Sequence, residues 1–139
     1  MVGLPQVNLV DVYSAPEASK LLYKLMKERT PEVNISHQGL PDWESHLAFV
    51  ASCPYDAWYL IEAEDGFVGA IYLSKTSEIG AFVFAAHRGH GHGKRAIEQL
   101  MEKHPRERFL ANINPANANS IEFFRSLGFH HIQNTYEKR

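Results

Sequence analysis

The stretch Arg88-Gly89-His90-Gly91-His92-Gly93-Lys94 holds the residues whose types and spacing speak most directly of chemistry. Glycines at alternate positions let successive backbone N–H groups turn toward one point. Ala96, Ile97, Leu100 and Met101 then recur at helical spacing, so that point lies at the positive end of a helix. Such a point binds phosphate. Upstream, Ile79, Ala81, Val83 and Ala85 alternate with Glu78, Gly80, Phe82 and Phe84, the pattern of a strand apolar on both faces and covered on both sides.

Two familiar phosphate loops fail on spacing. A Walker loop has four residues between its first Gly and the Gly-Lys pair, then Ser or Thr for magnesium. Here Gly89 and Gly93-Lys94 enclose three, and Arg95 follows. A dinucleotide fold needs a longer βαβ array and an acidic residue about twenty positions on; Arg108-Phe109 stands near that place.

The spacing Arg88-x-x-Gly91-x-Gly93, preceded by Glu78-Ile79-Gly80 and Val83, resembles the signature of the GNAT superfamily of acetyl-CoA-dependent N-acetyltransferases. Asn117-x-x-Ser120-Ile121-x-Phe123-Phe124-x-x-Leu127-Gly128-Phe129 is similar to that family's other coenzyme A segment. Together they cover 78 to 129 in the family's order, whereas the N-terminal half resembles the family only in its predicted elements. The resemblance implies an enzyme that transfers an acetyl group from acetyl-CoA, its co-substrate, to the amine of a small acceptor by direct attack. It implies coenzyme A contacts from Val83, Phe84, Ala85, Arg88, Gly89, His90, Gly91, His92, Gly93 and Lys94, and from Asn117, Ser120 and Phe124. Gly91 and Gly93 are both expected to need positive φ and close phosphate approach.

Two positions depart from the family pattern. Phe124 stands where many members carry the tyrosine that protonates the departing thiolate, and a phenyl ring has no proton to give. Asn112 stands where members that acetylate ribosomal-protein N-termini place a glutamate base, which turns the reading away from that subfamily. Asn112 could instead bond the acceptor or the pantetheine arm, or serve the strand end before Pro115. The rival reading is a member of the same fold that binds coenzyme A as ligand or regulator without turnover. A third is an interaction module that does not use the loop.

A base is needed because an alkyl ammonium, with a pKa of about 10, reaches the enzyme protonated. Glu78 occupies the position where some family members carry a catalytic glutamate, and strand parity puts it on the face of Gly80 and Phe82. Glu62 on the neighbouring hairpin strand is the reserve. The family's acceptor wall is usually the loop and second helix, here 32 to 46, which nominates His37, Asp42, Trp43 and His46. An aromatic with a few carboxylates and histidines suits an amino sugar or amino acid better than a long basic peptide. His87, His90, His92 and the His130-His131 pair invite a metal reading, but a glycine loop does not fix a tetrahedral set and no Cys lies nearby. No metal is expected.

These residues sit in 139 residues, the length of one domain, so the whole chain is expected to be one acetyltransferase unit. A net charge of -2 with both signs interspersed gives no field for nucleic acid or a membrane surface. One cysteine, Cys53, excludes an internal disulfide and suits a reducing compartment. With no basic leader or long apolar run in MVGLPQVNLVDV, the expectation is a cytoplasmic protein, monomer or homodimer.

The elements that must position the site follow from local signals. Val7, Leu9 and the Val12-Tyr13 pair predict a first strand; Ser14-x-x-Glu17 around Pro16 predicts a capping box and a helix buried through Leu21, Leu22, Leu25 and Met26. Asp42 predicts the cap of a second helix, closed by Cys53-Pro54. Strands over 57–63 and 67–73 flank Glu64-Asp65-Gly66, a hairpin signal, and the Glu78 strand follows as an antiparallel neighbour. After the loop and its helix, 108–114 predicts a strand parallel to the Glu78 strand. Asn117 or Asn119 caps the last helix, and 129–139 predicts a final strand paired with 108–114. The sum is a mixed α/β, GNAT-like fold in the order strand, two helices, three strands, helix, strand, helix, strand. An open sheet edge blunted by Glu137, Lys138 and Arg139 or covered by a second copy completes the expectation.

Overall fold

The structure, a computed structural model, describes residues 5–29 and 40–139. The expected loop from 32 to 41 falls largely outside the described residues, and His37 with it. In chain order the elements are β1 (Asn8–Asp11), α1 (Ala18–Glu28), α2 (Trp43–Ala51), β2 (Ala57–Ala63), β3 (Gly66–Leu73), β4 (Ile79–Val83), α3 (His92–Lys103) and α4 (Ala118–Ser126). Short 3-10 turns occupy Val12–Ser14 and Ala85–His87. The strands form one antiparallel sheet in the order β1-β2-β3-β4.

The β2–β3 hairpin forms where Asp65-Gly66 predicts it, and Gly66 takes φ 122, which a side chain would resist. Alternation along these strands sends two apolar sets to opposite faces. Tyr59, Ile61, Ile71, Leu73 and Ile79 pack with Ala96, Ile97 and Leu100 of α3 and Phe124 of α4. Trp58, Leu60, Ala70 and Phe84 pack with Leu22 and Leu25 of α1 and Val50 of α2. Each fully buried aliphatic side chain among them contributes roughly 1.5–3 kcal/mol. The Glu78 strand is thus covered on both sides, as its sequence predicts.

Capping works at two of the three expected places. Asp42 Oδ1 accepts from the Ser45 N–H at 2.8 Å, and Asn117 Oδ1 from the Ser120 N–H at 3.1 Å. Each such cap contributes about 1 kcal/mol. The Ser14 box does not form. Ser14 Oγ donates instead to the Asp11 carboxylate at 3.2 Å, within the 3-10 turn, and α1 begins at Ala18 behind an N-cap Glu17 that makes no side-chain bond. The Val12-Tyr13 pair belongs to that turn rather than to the first strand.

The two predicted C-terminal strands are absent. Over 108–114 only a single parallel bridge joins Glu78 and Leu110, made by Ile79 N–H to the Leu110 carbonyl at 2.7 Å and Leu110 N–H to the Ser77 carbonyl at 2.8 Å. Beyond it the chain turns. Asn114 Oδ1 accepts from the Ala116 N–H at 2.9 Å, and Pro115 has no N–H for a ladder. Without a ladder there, 129–139 has no strand to join. Its residues from His130 onward are exposed, and only Ile132 and Tyr136 are large apolar groups that pairing could bury.

Candidate active site

Gly91 is the N-cap of α3 at φ 84, and Gly89 stands at φ 83, both in the left-handed region. Gly91 offers no side chain to accept from the first turn. No acceptor among the described residues meets the backbone N–H groups of His92, Gly93 and Lys94. The helices that begin at Trp43 and Ala118, by contrast, spend a first-turn N–H on Asp42 and on Asn117. Uncapped N–H donors at the positive end of a helix dipole, reached past two glycines, fit a phosphate or pyrophosphate.

Gly93 differs from expectation. It lies inside α3 without positive φ, and an added Cβ would meet Phe123 Cζ and Val83 Cγ2 at 3.5 Å, ordinary contact. Arg88 folds its side chain back, with Nε donating to the Val83 carbonyl at 3.0 Å. The Ala85 N–H donates to Glu28 Oε1 at 2.9 Å, and the Phe84 N–H to the Val68 carbonyl at 2.8 Å. Lys94 is half-buried on the first turn of α3. His90 and His92 lie with ring centres 6.1 Å apart, and the described residues gather no group of three or more metal-ligand side chains.

Phe124 is buried, edge-on to Phe123 at 5.3 Å and to Phe129 at 5.2 Å, in the core beneath α3 and α4. Asn117 and Ser120 are joined to each other as the cap of α4. Asn112 is exposed on the unpaired segment after Leu110.

Glu78 is half-buried, with its N–H on Ser74 Oγ at 3.0 Å and its carbonyl accepting from the Ser74 N–H at 2.8 Å. Its carboxylate acts electrostatically on the hydroxyls of Tyr55 and Tyr72. These rings stack at 4.0 Å and 7°. Tyr13 fixes Tyr55 by two bonds: its hydroxyl donates to the Tyr55 carbonyl at 3.0 Å and accepts from the Tyr55 N–H at 3.1 Å. Tyr72 lies directly over Gly80, where any Cβ would collide with its ring. Burial pushes Tyr55 up to about 12 and raises Tyr72, so both keep their protons at neutral pH. Arg29, just past α1, completes this group, its guanidinium carbon 4.2 Å from the centre of the Phe82 ring. Arg29, Tyr55 and Tyr72 carry no local sequence signal of function; pairing of β3 with β4 sets Tyr72 beside Gly80, the Tyr55 ring stacks on it, and the end of α1 brings Arg29 over Phe82.

The other candidates lie elsewhere. Glu62 is at the hairpin end of β2, paired with Phe67, and lines a cavity of about 520 Å³ with His87 and His92. Glu78 follows from the opposite end of the strands, where Leu73 pairs with Ile79. His46 is buried between α1 and α2, its Nε2 2.8 Å from the Ser19 carbonyl, which makes Nε2 the donor. Trp43 packs edge-on against Tyr23 at 5.2 Å and lines a separate groove with Pro16, Lys20 and Leu47. Asp42 is exposed and held below its usual carboxyl pKa by the hydrogen bonds from Ser45. Neither Trp43 nor His46 joins Glu78.

The profile of the Acetyltransferase (GNAT) family matches residues 20–129. The chain belongs to this family. Its fold is shared at low identity with an acetyltransferase from Thermus thermophilus, at 17% identity and TM-score 0.68 over 96% of this chain and 92% of that one. A domain from Methanocaldococcus jannaschii aligns at 19% identity and TM-score 0.74, over 96% of this chain and 94% of that one. The aminoglycoside N-acetyltransferase AAC(6')-Iy, solved in complex with CoA, aligns at 15% identity and TM-score 0.70 over 100% and 97%. No curated protein matches the chain. Like other members, this GNAT chain is a mixed α/β fold around an antiparallel sheet. None of its described helices is long and apolar enough to cross a membrane.

Proposed function

We propose that this GNAT-family chain transfers an acetyl group from acetyl-CoA to the primary amine of a small acceptor, by direct attack of the neutral amine. The observation that carries the reading is the uncapped start of α3, with Gly89 and Gly91 left-handed before it. Its N–H donors suit the pyrophosphate of coenzyme A, and Lys94 flanks them. When bound, acetyl-CoA would supply the activated acyl carbonyl, with the thioester C–S bond breaking and coenzyme A leaving as the thiol. The chain's residues do the rest.

Glu78 takes the proton from the acceptor's ammonium, directly or through a water, which frees the lone pair for attack. The partial burial of Glu78 beside the two tyrosines supports this choice. Glu62, at the other end of the strands beside His87, is less well placed. Tyr55 and Tyr72 remain protonated and can donate a hydrogen bond or a proton near Glu78. Phe124 can do neither.

Release of free thiol from acetyl-CoA, measured against a panel of small amines, tests the reading, with turnover above hydrolysis as the expected result. Phe124 gives one observation in favour of the second reading, a chain that binds coenzyme A without turnover. Calorimetric binding of coenzyme A with no thiol release from any amine would establish that reading and sink the first.

Phe124→Tyr separates them further. Its ring sits among Phe123 and Phe129, so an added hydroxyl without a partner should cost about 1–3 kcal/mol of stability, read from denaturant unfolding. Turnover should change little. A large gain in turnover would mean that thiolate protonation limits the present chain.

A further inference from the structure

Where α1 meets the sheet stands a cation for which the described residues provide no anion. Arg29 lies over the ring of Phe82, and its Nε is buried without a hydrogen-bond partner among the described residues. No ion pair to Arg29 occurs among them either. A half-buried guanidinium is costly unless an anion meets it, and stacking on an aromatic face leaves its in-plane N–H groups free to grip a carboxylate in two parallel bonds.

The position of Glu78 supplies the second half of the argument. Arg29 and Glu78 both act on the hydroxyls of the Tyr55–Tyr72 stack, Arg29 lowering and Glu78 raising their pKa values, yet the two charges do not pair with each other. Arg29 stands over Phe82, whose ring is 6.4 Å from that of Tyr72, and Glu78 shares strand parity with Gly80, over which Tyr72 lies, so a cation and a carboxylate border one aromatic group. The mirror image of that arrangement is a molecule with one carboxylate and one ammonium. A polycationic amino sugar would instead bring positive charge against Arg29, and a plain alkyl amine would leave the guanidinium unmet.

We infer that the acceptor is an amino acid, α or ω, whose carboxylate is held by Arg29 while its amine faces Glu78. This rests on the acetyl-transfer reading and adds the acceptor's chemical class to it. In this role Arg29 acts on binding and orientation, and Glu78 on the proton.

The test compares acids with their own amides in the wild-type chain. Thiol release from acetyl-CoA is measured with glycine, β-alanine, γ-aminobutyrate and the protein amino acids, each beside its carboxamide and beside the amine lacking the carboxyl group. At least one acid should exceed its amide in kcat/KM by about tenfold or more, the discrimination of a site that hydrogen-bonds a group the analogue lacks. Arg29→Gln should raise KM for that acid by about tenfold or more, with a smaller change in kcat and little effect on the amide. Arg29→Lys should restore part of the preference. Coenzyme A binding measured on each variant shows that it is folded.

Turnover of amides or amino sugars equal to that of the acids would overturn the inference and leave acetyl transfer standing. So would an Arg29→Gln loss that strikes acid and amide alike, the mark of a packing role. If no amine releases thiol, acetyl transfer itself fails, and the same acids and amides are titrated by calorimetry into the protein loaded with coenzyme A. Binding of an acid but not its amide, abolished by Arg29→Gln, would then support the carboxylate site; equal or absent binding would overturn it.

Discussion

Glu78→Gln is expected to lower turnover by roughly a hundredfold or more, with coenzyme A binding unchanged. The acceptor's ammonium, with a pKa of about 10, is almost wholly protonated at neutral pH and has no lone pair to attack with. Glutamine keeps the shape of Glu78 and its capacity to accept a hydrogen bond, but it cannot take the proton. The backbone of Glu78 is held on both sides by Ser74 and beside it by the bridge to Leu110, so the substitution leaves the strand in place. The loss should shrink as pH rises and free amine accumulates. A pH–rate profile of the variant measures this directly. Turnover near wild type across pH, with coenzyme A binding intact, would confine Glu78 to a structural role.

Gly91→Val should weaken coenzyme A binding by at least about tenfold in calorimetry. At φ 84 a β-branched residue costs roughly 1–2 kcal/mol or more in backbone strain. Relief of that strain would reorient the first-turn N–H groups of His92, Gly93 and Lys94. Gly93→Ala is the control, because its Cβ meets only side-chain atoms at ordinary contact distance and its φ is helical. That variant should lose less binding than Gly91→Val, because it keeps the helical backbone whose N–H groups the site uses. Equal binding by wild type and Gly91→Val would move the phosphate site away from this loop.

What was legible in the sequence is what local chemistry decides. Asp65-Gly66 makes the hairpin because a tight turn needs the φ of 122 that Gly66 adopts. Asp42 and Asn117 start helices because their short side chains reach an N–H three residues on. The glycine loop could be read because its spacing and the helix behind it are contiguous. Where two signals compete within a few residues, the sequence misled. Ser14 could cap α1 or bond Asp11, and the 3-10 turn took it. The strand expected over 108–114 has apolar alternation, but Asn114 and Pro115 turn the chain after one bridge, and the final strand loses its partner with it. Arg29 was illegible for another reason. An arginine at a helix end reads as a solvated cation balancing the helix dipole, and only the packing of Phe82 beneath it shows otherwise.

Glu28 and Arg29 are consecutive at the end of α1, and they face different things. Glu28 accepts from the Ala85 N–H at the turn that leads into the glycine loop, while Arg29 stands over Phe82 beside the tyrosine stack. A ligand that took the Ala85 N–H would displace Glu28, the residue next to Arg29. The end of α1 thus meets both the turn before the glycine loop and the aromatic group beside β4. By linkage, if an occupant at one of these residues changes the affinity at the other, the factor is returned in equal measure, and coenzyme A titrations with and without a bound acid would read it.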